Sequence, residues 1–164
     1  VVVLERSIPR MAYIDEVTGG RVITRYSSIG AIEEEIVKAD VVIGAVLVPG
    51  ASAPKLVKRE HLAKMKPGSV LVDVAIDQGG CFETSRPTTW KEPTYVEEGV
   101  THFCVTNMPG AVPQTSSQAI CATILPWVNK LASSPNWRDD AALVRGINVE
   151  GGQLVHPALK GMSL

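Results

Sequence analysis

Two carboxylates near the end of an apolar run are the residues of this sequence that best suit catalysis. Asp73 and Asp77 lie in the segment Val-Asp-Val-Ala-Ile-Asp-Gln-Gly-Gly, where alternation along a strand places both acids on one face. Gly79 and Gly80 then permit a sharp turn and a close approach of the backbone to a ligand. Asp77 is a candidate general base or water-binding group, and a structural capping role explains it equally well. Asp73 is predicted to make structural hydrogen bonds, because burying an acid without partners is costly.

Glu5 follows the first apolar run, Val-Val-Val-Leu. In dinucleotide-binding units, the strand after the glycine-rich loop ends in an acid that accepts hydrogen bonds from the adenosine ribose. Glu5 fits that position, and its charge would repel a 2′-phosphate, which favours NAD over NADP. An exposed, solvated acid is the commoner role for such a residue. The sequence starts inside an apolar run and has no G-x-G-x-x-G, so we expect the first strand and its loop to precede residue 1.

Two other predicted strand ends carry candidate ligand-binding residues. Val46 and Leu47 precede a turn at Pro49 and Gly50, and ligands of open α/β sheets bind beyond the carboxyl ends of strands. These apolar side chains suit an adenine or nicotinamide-ribose face, with plain core and turn as the alternative. Asn107 begins a proline-rich loop and can both donate to and accept from a carboxamide or ribose, with an ordinary turn as the alternative.

The elements that must position these residues alternate between strand and helix. Continuous apolar runs predict strands buried on both faces of a parallel sheet, and isoleucines at helical spacing predict a helix between them. The order predicts an α/β fold with a doubly wound parallel sheet. A later segment is apolar on more than one face and predicts a mostly buried helix that Pro126 bends or breaks. The predicted strands are residues 1–4, 21–24, 41–48, 69–76 and 101–106, and the predicted helices are 28–38, 59–64, 114–131 and 139–144.

Composition excludes several classes of protein. The 164 residues are 45% hydrophobic and 20% charged, enough for one packed core or one core with an appendage. The net charge of −1 leaves no basic field for nucleic acid or a membrane surface, and the apolar runs are shorter than the ~20 residues that span a bilayer. An odd number of cysteines without a C-x-x-C pair indicates reduced thiols and a cytoplasmic protein. No histidine has metal-ligand spacing, so we predict no metal site.

Several sequence blocks together resemble bacterial alanine dehydrogenases, from residue 1 to about residue 155. The blocks that follow the order and spacing of that family are residues 25–28, 44–50, 77–83, 85–89 and 107–109. The related NAD-binding portion of proton-translocating transhydrogenase carries a similar Gln-Gly-Gly, but the residue before it is Glu. Asp77 and the Asn107-Met108-Pro109 block therefore favour the dehydrogenases.

The resemblance implies NAD as the cofactor and a catalytic role for Asp77 beside the nicotinamide. Glu5 matches a position that is usually Asp in the family. A histidine and a lysine of the family's first domain, which act on the substrate and bind its carboxylate, have no counterpart in this sequence. The implied cofactor-contacting residues are Glu5, Arg10, Ser27, Val46, Leu47, Val74, Ala75, Ile76, Asp77, Arg86, Val105, Thr106, Asn107 and Met108.

The implied activity is the reversible oxidative deamination of L-alanine to pyruvate and ammonium, in a homo-oligomer that the family resemblance makes a hexamer. Residues 1–113 are then a Rossmann-type NAD-binding domain that lacks its first strand. Residues 114–164 are a helical segment that returns to the substrate domain. Two alternatives stay open: a non-catalytic NAD-binding module of a transhydrogenase-like subunit, and a truncated product that serves only in assembly.

Overall fold

The computed structural model describes residues 1–48 and 52–159, so the predicted turn at Pro49 and Gly50 lies outside the described residues. They form two compact units, residues 1–48 with 52–106 and residues 107–159. The first unit contains β1 (Val2–Glu5), α1 (Ile8–Thr18), β2 (Ile23–Tyr26), α2 (Ile29–Ile36), β3 (Val41–Gly44), α3 (Arg59–Leu62), β4 (Val70–Asp73), β5 (Thr94–Glu97) and β6 (Val100–Phe103). The second contains α4 (Pro113–Ser133), α5 (Ala141–Arg145), β7 (Val149–Glu150) and β8 (Gln153–Leu154).

The strands of the first unit form two sheets of mostly parallel strands, which confirms the predicted α/β class. One sheet pairs β1 with β2 in parallel. The other has the order β3-β4-β6-β5, in which only β5 is antiparallel. Among the described residues, no strand pairs with the second edge of β1 or of β3. Each of these two strands therefore presents unpaired backbone groups along one side.

Two elements of this unit were missed by the periodicity of the sequence. The helix α1 begins at the N-cap Ser7, has Pro9 in its first turn and ends at Gly19 in the left-handed conformation. The strand β5 joins β6 through the two-residue turn Glu98-Gly99, in which both residues have positive φ. Capping residues mark α1 and turn residues mark β5, but periodicity does not identify them. The helix α1 has no buried residue, so no apolar face of it packs into the core.

Three predicted strands end earlier than expected. The strand β3 ends at Gly44, β4 at Asp73 and β6 at Phe103, so the expected extents to residues 48, 76 and 106 were wrong. The carboxylate of Asp73 accepts the N–H of Ala75, and this local hydrogen bond turns the chain out of the strand. A short 3₁₀ helix, Ile76–Gln78, follows.

One hydrophobic core is shared by α2 and the four-stranded sheet. Its residues come from α2, from the segment around α3, from β4 and from the chain that follows β4; Leu4 of β1 packs against it. The expectation that strands are buried on both faces was wrong for β3, because Val41 and Ile43 are 54% and 66% exposed and only its other face is covered by the described residues. It was also wrong for β1, in which no residue is buried.

The long helix α4 of the second unit is continuous, so the break at Pro126 that was one of the two predicted effects does not occur. The missing N–H of Pro126 removes one intrahelical hydrogen bond without ending the helix. The prediction of a mostly buried helix was wrong. None of its residues is buried, and Ile120, Ile124 and Trp127 are among its exposed apolar side chains. Within residues 1–48 and 52–159, no helix, α4 included, is both long enough and apolar enough to cross a bilayer.

A buried histidine links β6 to the chain that follows β4. His102 is fully buried; its Nδ1–H donates to the carbonyl of Val100, and its Nε2 accepts the hydroxyl of Thr84. Tyr95 stacks on the imidazole ring at a centroid distance of 4.8 Å. Burial lowers the pKa of His102, so the imidazole is neutral in the folded protein.

This lowered pKa gives the stability of the protein a defined pH dependence. A histidine whose pKa is lower in the folded than in the unfolded state costs stability as the pH falls below its unfolded value of about 6.5. We expect the melting temperature to fall between about pH 7 and pH 5, and His102→Gln to reduce that fall. Thermal melts across this range test it, with His156→Gln as the control; an undiminished fall in the His102 variant contradicts the assignment.

Candidate functional site

The carboxyl edge of the two-stranded sheet carries three of the predicted cofactor-contacting residues. Ser27 follows β2 and donates its N–H to the carbonyl of Glu5, 2.9 Å away, at the end of β1. Oε1 of Glu5 accepts the N–H groups of Arg6 and Ser7 at 2.6 and 2.9 Å. These backbone groups, Ser7 foremost, hold the pKa of the Glu5 carboxyl below its usual value, with a smaller effect from the charge of Arg10. Glu5 is therefore an ionised acid beside a cation.

The carboxyl edge of the four-stranded sheet carries a second group of predicted residues. After β3, Val46 is half-buried and Leu47 is exposed. After β4, the N–H of Val74 donates to the carbonyl of Gly44 at 2.8 Å, and the side chain of Val74 is exposed. Ala75 and Ile76 are buried, so their side chains are not presented at the surface of the described residues.

The two aspartates do not lie on one face of a strand, which corrects the prediction. Asp73 ends β4 and is fully buried, whereas Asp77 lies on the 3₁₀ helix that follows and is exposed. The alternation argument failed because it needs a continuous strand from 73 to 77. The predicted hydrogen-bonding role of Asp73 is confirmed by its contacts with Ala75, Cys81, Phe82 and Ser85.

Two glycines allow the chain after β4 to pack this closely. A Cβ on Gly44 would lie 2.2 Å from Sγ of Cys81 and 2.7 Å from the ring of Phe82. A Cβ on Gly80 would lie 2.6 Å from Oδ2 of Asp73, and Gly80 also has a φ of +74°. Neither position accepts a side chain unless the neighbouring side chains shift, and the positive φ of Gly80 adds backbone strain there.

Lys55 and its neighbours were not singled out by the sequence, because no local motif marks them. The Lys55 ammonium donates to the carbonyls of Gly79 and Gly80. On either side of it, the N–H of Ala53 donates to Gln78 and that of Leu56 to Cys81. The segment from 53 to 57 thus supports the outer side of the turn that carries Asp77.

Tyr95 positions Arg86, a predicted cofactor-contacting residue. The Tyr95 hydroxyl accepts the N–H of Arg86 at 2.9 Å and donates to the carbonyl of Thr84 at 2.8 Å. The guanidinium of Arg86 stacks on the Tyr95 ring, 3.8 Å from its centroid, and remains exposed. Burial raises the pKa of Tyr95, so its hydroxyl keeps the proton that it donates.

The last predicted segment, residues 105–108, crosses from the first unit to the second. Val105 is buried and forms a parallel bridge with Thr88, whose carbonyl accepts the N–H of Thr106. Asn107 has a left-handed backbone with a φ of 53° and begins the second unit, followed by Met108. The Val105 side chain is therefore not presented at the surface, whereas Asn107 is exposed.

The β-α-β order and the acids at strand ends define the first unit as an α/β domain of the Rossmann-like, dinucleotide-binding class. A family model described as "Alanine dehydrogenase/PNT, C-terminal domain" matches residues 1–157. The chain belongs to the alanine dehydrogenase/PNT C-terminal domain family.

Individual relatives agree with this membership. The chain is 55% identical to the alanine dehydrogenase of Halomonas elongata and 51% identical to that of Mycolicibacterium smegmatis, in each case over 97% of this chain and 44% of the relative. A solved L-alanine dehydrogenase superposes with a TM-score of 0.84 at 46% identity, over 97% of this chain and 45% of that one. A transhydrogenase from Sinorhizobium meliloti gives 0.69 at 29% identity, over 91% and 41%. The chain thus spans less than half the length of these relatives.

The contact between Gly44 and Cys81 predicts a steric test. We expect Gly44→Ala to lower the free energy of unfolding by about 1–3 kcal/mol, because the added methyl overlaps Sγ of Cys81. Gly30→Ala is the matched control: a Cβ there has no atom within 4 Å, and alanine in place of a helical glycine stabilises by ~0.5–1 kcal/mol. Urea unfolding of the complete protein measures both, and equal stabilities of the two variants would contradict the packing.

Proposed function

We propose that this chain is the NAD-binding part of an alanine dehydrogenase. The reaction is L-alanine, NAD⁺ and water giving pyruvate, ammonium, NADH and a proton. The observation that carries the proposal is the exposed Asp77 on a turn at the carboxyl edge of the sheet, in a chain that matches an L-alanine dehydrogenase at a TM-score of 0.84. Ligands of open α/β sheets bind at that edge.

The acid at the end of β1 fits an adenosine ribose. Its Oε1 is occupied by two backbone N–H groups, while Oε2 makes no hydrogen bond within the described part of the chain. One carboxylate oxygen of Glu5 is thus fixed and the other is free to accept ribose hydroxyls. The negative charge opposes a 2′-phosphate, which supports NAD over NADP.

The remaining cofactor contacts are proposed from the family resemblance. Arg10 and Arg86 supply cations, and the Arg86 guanidinium stacks on the Tyr95 ring; Ser27 lies directly beside Glu5. Val46, Leu47 and Val74 flank the rings, and Asn107 supplies an amide for the nicotinamide or its ribose. Ala75, Ile76, Val105, Thr106 and Met108 complete the proposed set.

NAD⁺ held by these residues would supply the hydride acceptor for Cα of L-alanine, and the imine of the substrate would then be hydrolysed. Asp77 positions a water molecule and removes a proton from it as the water oxygen forms a bond to the imine carbon. Ammonium then leaves and pyruvate remains. Exposure of Asp77 in the described residues leaves its carboxylate accessible to water and substrate.

Further parts of the active enzyme are proposed to lie outside the described residues. The free edges of β1 and β3 each suit another parallel strand, and the relatives are more than twice as long as the chain. We assign the glycine-rich phosphate loop, a substrate domain joined by residues 114–164, and a homo-oligomer, hexameric by resemblance, to the complete protein. The buried reduced thiols of Cys81 and Cys104 support a cytoplasmic location.

A transhydrogenase-like NAD-binding module is the second candidate, favoured by the structural match at 29% identity. The two functions separate in one assay of the complete protein. Reduction of NAD⁺ that depends on L-alanine supports the dehydrogenase. NAD binding without alanine-dependent reduction supports the module.

The role of Glu5 predicts a change in cofactor preference. Glu5→Gln removes the charge but keeps the acceptor for Arg6 and Ser7, so folding should be preserved. We expect the dissociation constant for NAD⁺ to rise about tenfold, as a charge-assisted hydrogen bond is lost, and that for NADP⁺ to change less or fall. Titration calorimetry measures both, with exposed Glu16→Gln as control; an unchanged NAD⁺ affinity contradicts the role.

The role of Asp77 predicts a loss of turnover rather than of cofactor affinity. Asp77→Ala in the complete protein should lower kcat by about 10²–10⁴-fold, the usual contribution of a general base. The dissociation constant for NAD⁺ should stay within about threefold, because the side chain acts on water and not on the cofactor. Steady-state assays with L-alanine test this against exposed Asp15→Asn, and near-normal turnover in Asp77→Ala overturns the assignment.

A further inference from the structure

Asp73 is a fully buried carboxylate that forms no ion pair within 4.0 Å among the described residues. Its charge is balanced by hydrogen-bond donors alone. Oδ1 accepts the N–H of Ala75 at 3.1 Å and the thiol of Cys81 at 3.5 Å. Oδ2 accepts the N–H groups of Cys81 at 2.9 Å and Phe82 at 3.3 Å, and the hydroxyl of Ser85.

These donors lie on both sides of Asp77 in the sequence. Ala75 precedes the 3₁₀ helix Ile76–Gln78, and Cys81, Phe82 and Ser85 follow it. One carboxylate therefore joins the two ends of the loop that carries Asp77. The N–H of Gly80, which donates to the carbonyl of Ala75 at 3.0 Å, closes the loop a second time.

The surroundings leave this loop little room to rearrange. Gly80 contacts Oδ2 of Asp73 so closely that it admits no Cβ, and Gly44 does the same for Cys81 on the other side. Lys55 binds the carbonyls of Gly79 and Gly80 from outside. Burial and the neighbouring Asp73 charge raise the pKa of Cys81 to about 12, so its thiol remains a donor.

We propose that Asp73 is a positioning residue for Asp77: its buried carboxylate fixes both ends of the 74–85 loop and thereby sets the place of the catalytic carboxylate. The proposal rests on the proposed role of Asp77 in the deamination. Asp73 itself touches neither substrate nor cofactor, because its side chain is fully buried.

The role requires a carboxylate rather than any polar group of that shape. All five partners of Asp73 are donors, and an ionised carboxylate is an acceptor at both oxygens. In Asp73→Asn, one oxygen is replaced by an NH₂ group that faces N–H or O–H donors. Asparagine therefore keeps the volume but releases one end of the loop.

The test is a double-mutant cycle in the complete protein, with Asp73→Asn, Asp77→Ala and both together. Misplacement of a catalytic group by about 1 Å can cost 10²-fold, so we expect Asp73→Asn to lower kcat by about 10- to 100-fold. The dissociation constant for NAD⁺ should stay within about threefold. The double variant should be no slower than Asp77→Ala alone, since placing an absent carboxylate has no effect.

Three results would overturn the proposal. The first is that Asp73→Asn leaves kcat within about threefold of the wild type, and the second is that it weakens NAD⁺ binding as much as turnover. The third is that Asp73→Asn lowers kcat by the same factor in the Asp77→Ala background as in the wild type. The last result assigns Asp73 to general stability. Exposed Asp40→Asn, which alters only a surface pair with Lys66, is the matched control and should leave kcat unchanged.

If Asp73→Asn does not fold, a milder variant tests the same proposal. Ser85→Ala removes one donor to Oδ2 and should lower kcat by about two- to tenfold, again without additional loss in the Asp77→Ala background. Amide hydrogen exchange at Ala75, Cys81 and Phe82 separates the two proposals. If exchange is faster in the Asp73 or Ser85 variant but turnover is insensitive to Asp77→Ala, the proposed function is refuted and the anchoring of the loop by Asp73 is supported. If exchange is unchanged, the anchoring of the loop by Asp73 is itself refuted.

Discussion

The structure of the first unit depends on a charge buried without a counter-ion among the described residues. Removing the Asp73 carboxylate from water costs several kcal/mol by general estimates, unless donors replace the lost hydration. The chain supplies these donors by folding back on itself directly after β4, which brings Cys81 and Phe82 over the strand end. The end of β4, the 3₁₀ turn and the demand for glycine at 80 all follow from that one requirement.

A division of labour results between buried groups that fix the backbone and exposed groups that face solvent. Tyr95 and the backbone around Thr84 hold Arg86, as the donors around Asp73 hold the turn of Asp77. The side chains offered to ligands are more accessible: Asp77 and Arg86 are exposed, and Glu5 is half-buried. Such an arrangement presents charges from a rigid support, as a cofactor site requires.

Local rules predicted much of the fold. Apolar runs located β1, β3 and β4, and Ser28 with the isoleucines of residues 29–36 located α2. Strand lengths were overestimated, because an apolar run continues past the residue at which hydrogen bonding turns the chain. The antiparallel β5 and the exposed α1 were missed, since neither has an apolar stripe, although Ser7 and Gly99 mark their boundaries. The family membership was already indicated by blocks such as Asp77-Gln-Gly-Gly.

By itself, the sequence determined the α/β order, the family and the identity of the acids at the strand ends. Those properties depend on residue types at short spacing, which local propensity and periodicity report directly. Only the tertiary structure decided that Asp73 is buried and Asp77 exposed. It also decided that Lys55 supports the turn that carries Asp77 and that Tyr95 supports Arg86. These roles arise from hydrogen bonds that span from 8 residues, between Asp73 and Cys81, to 24 residues, between Lys55 and Gly79. Such spans lie beyond the reach of local periodicity.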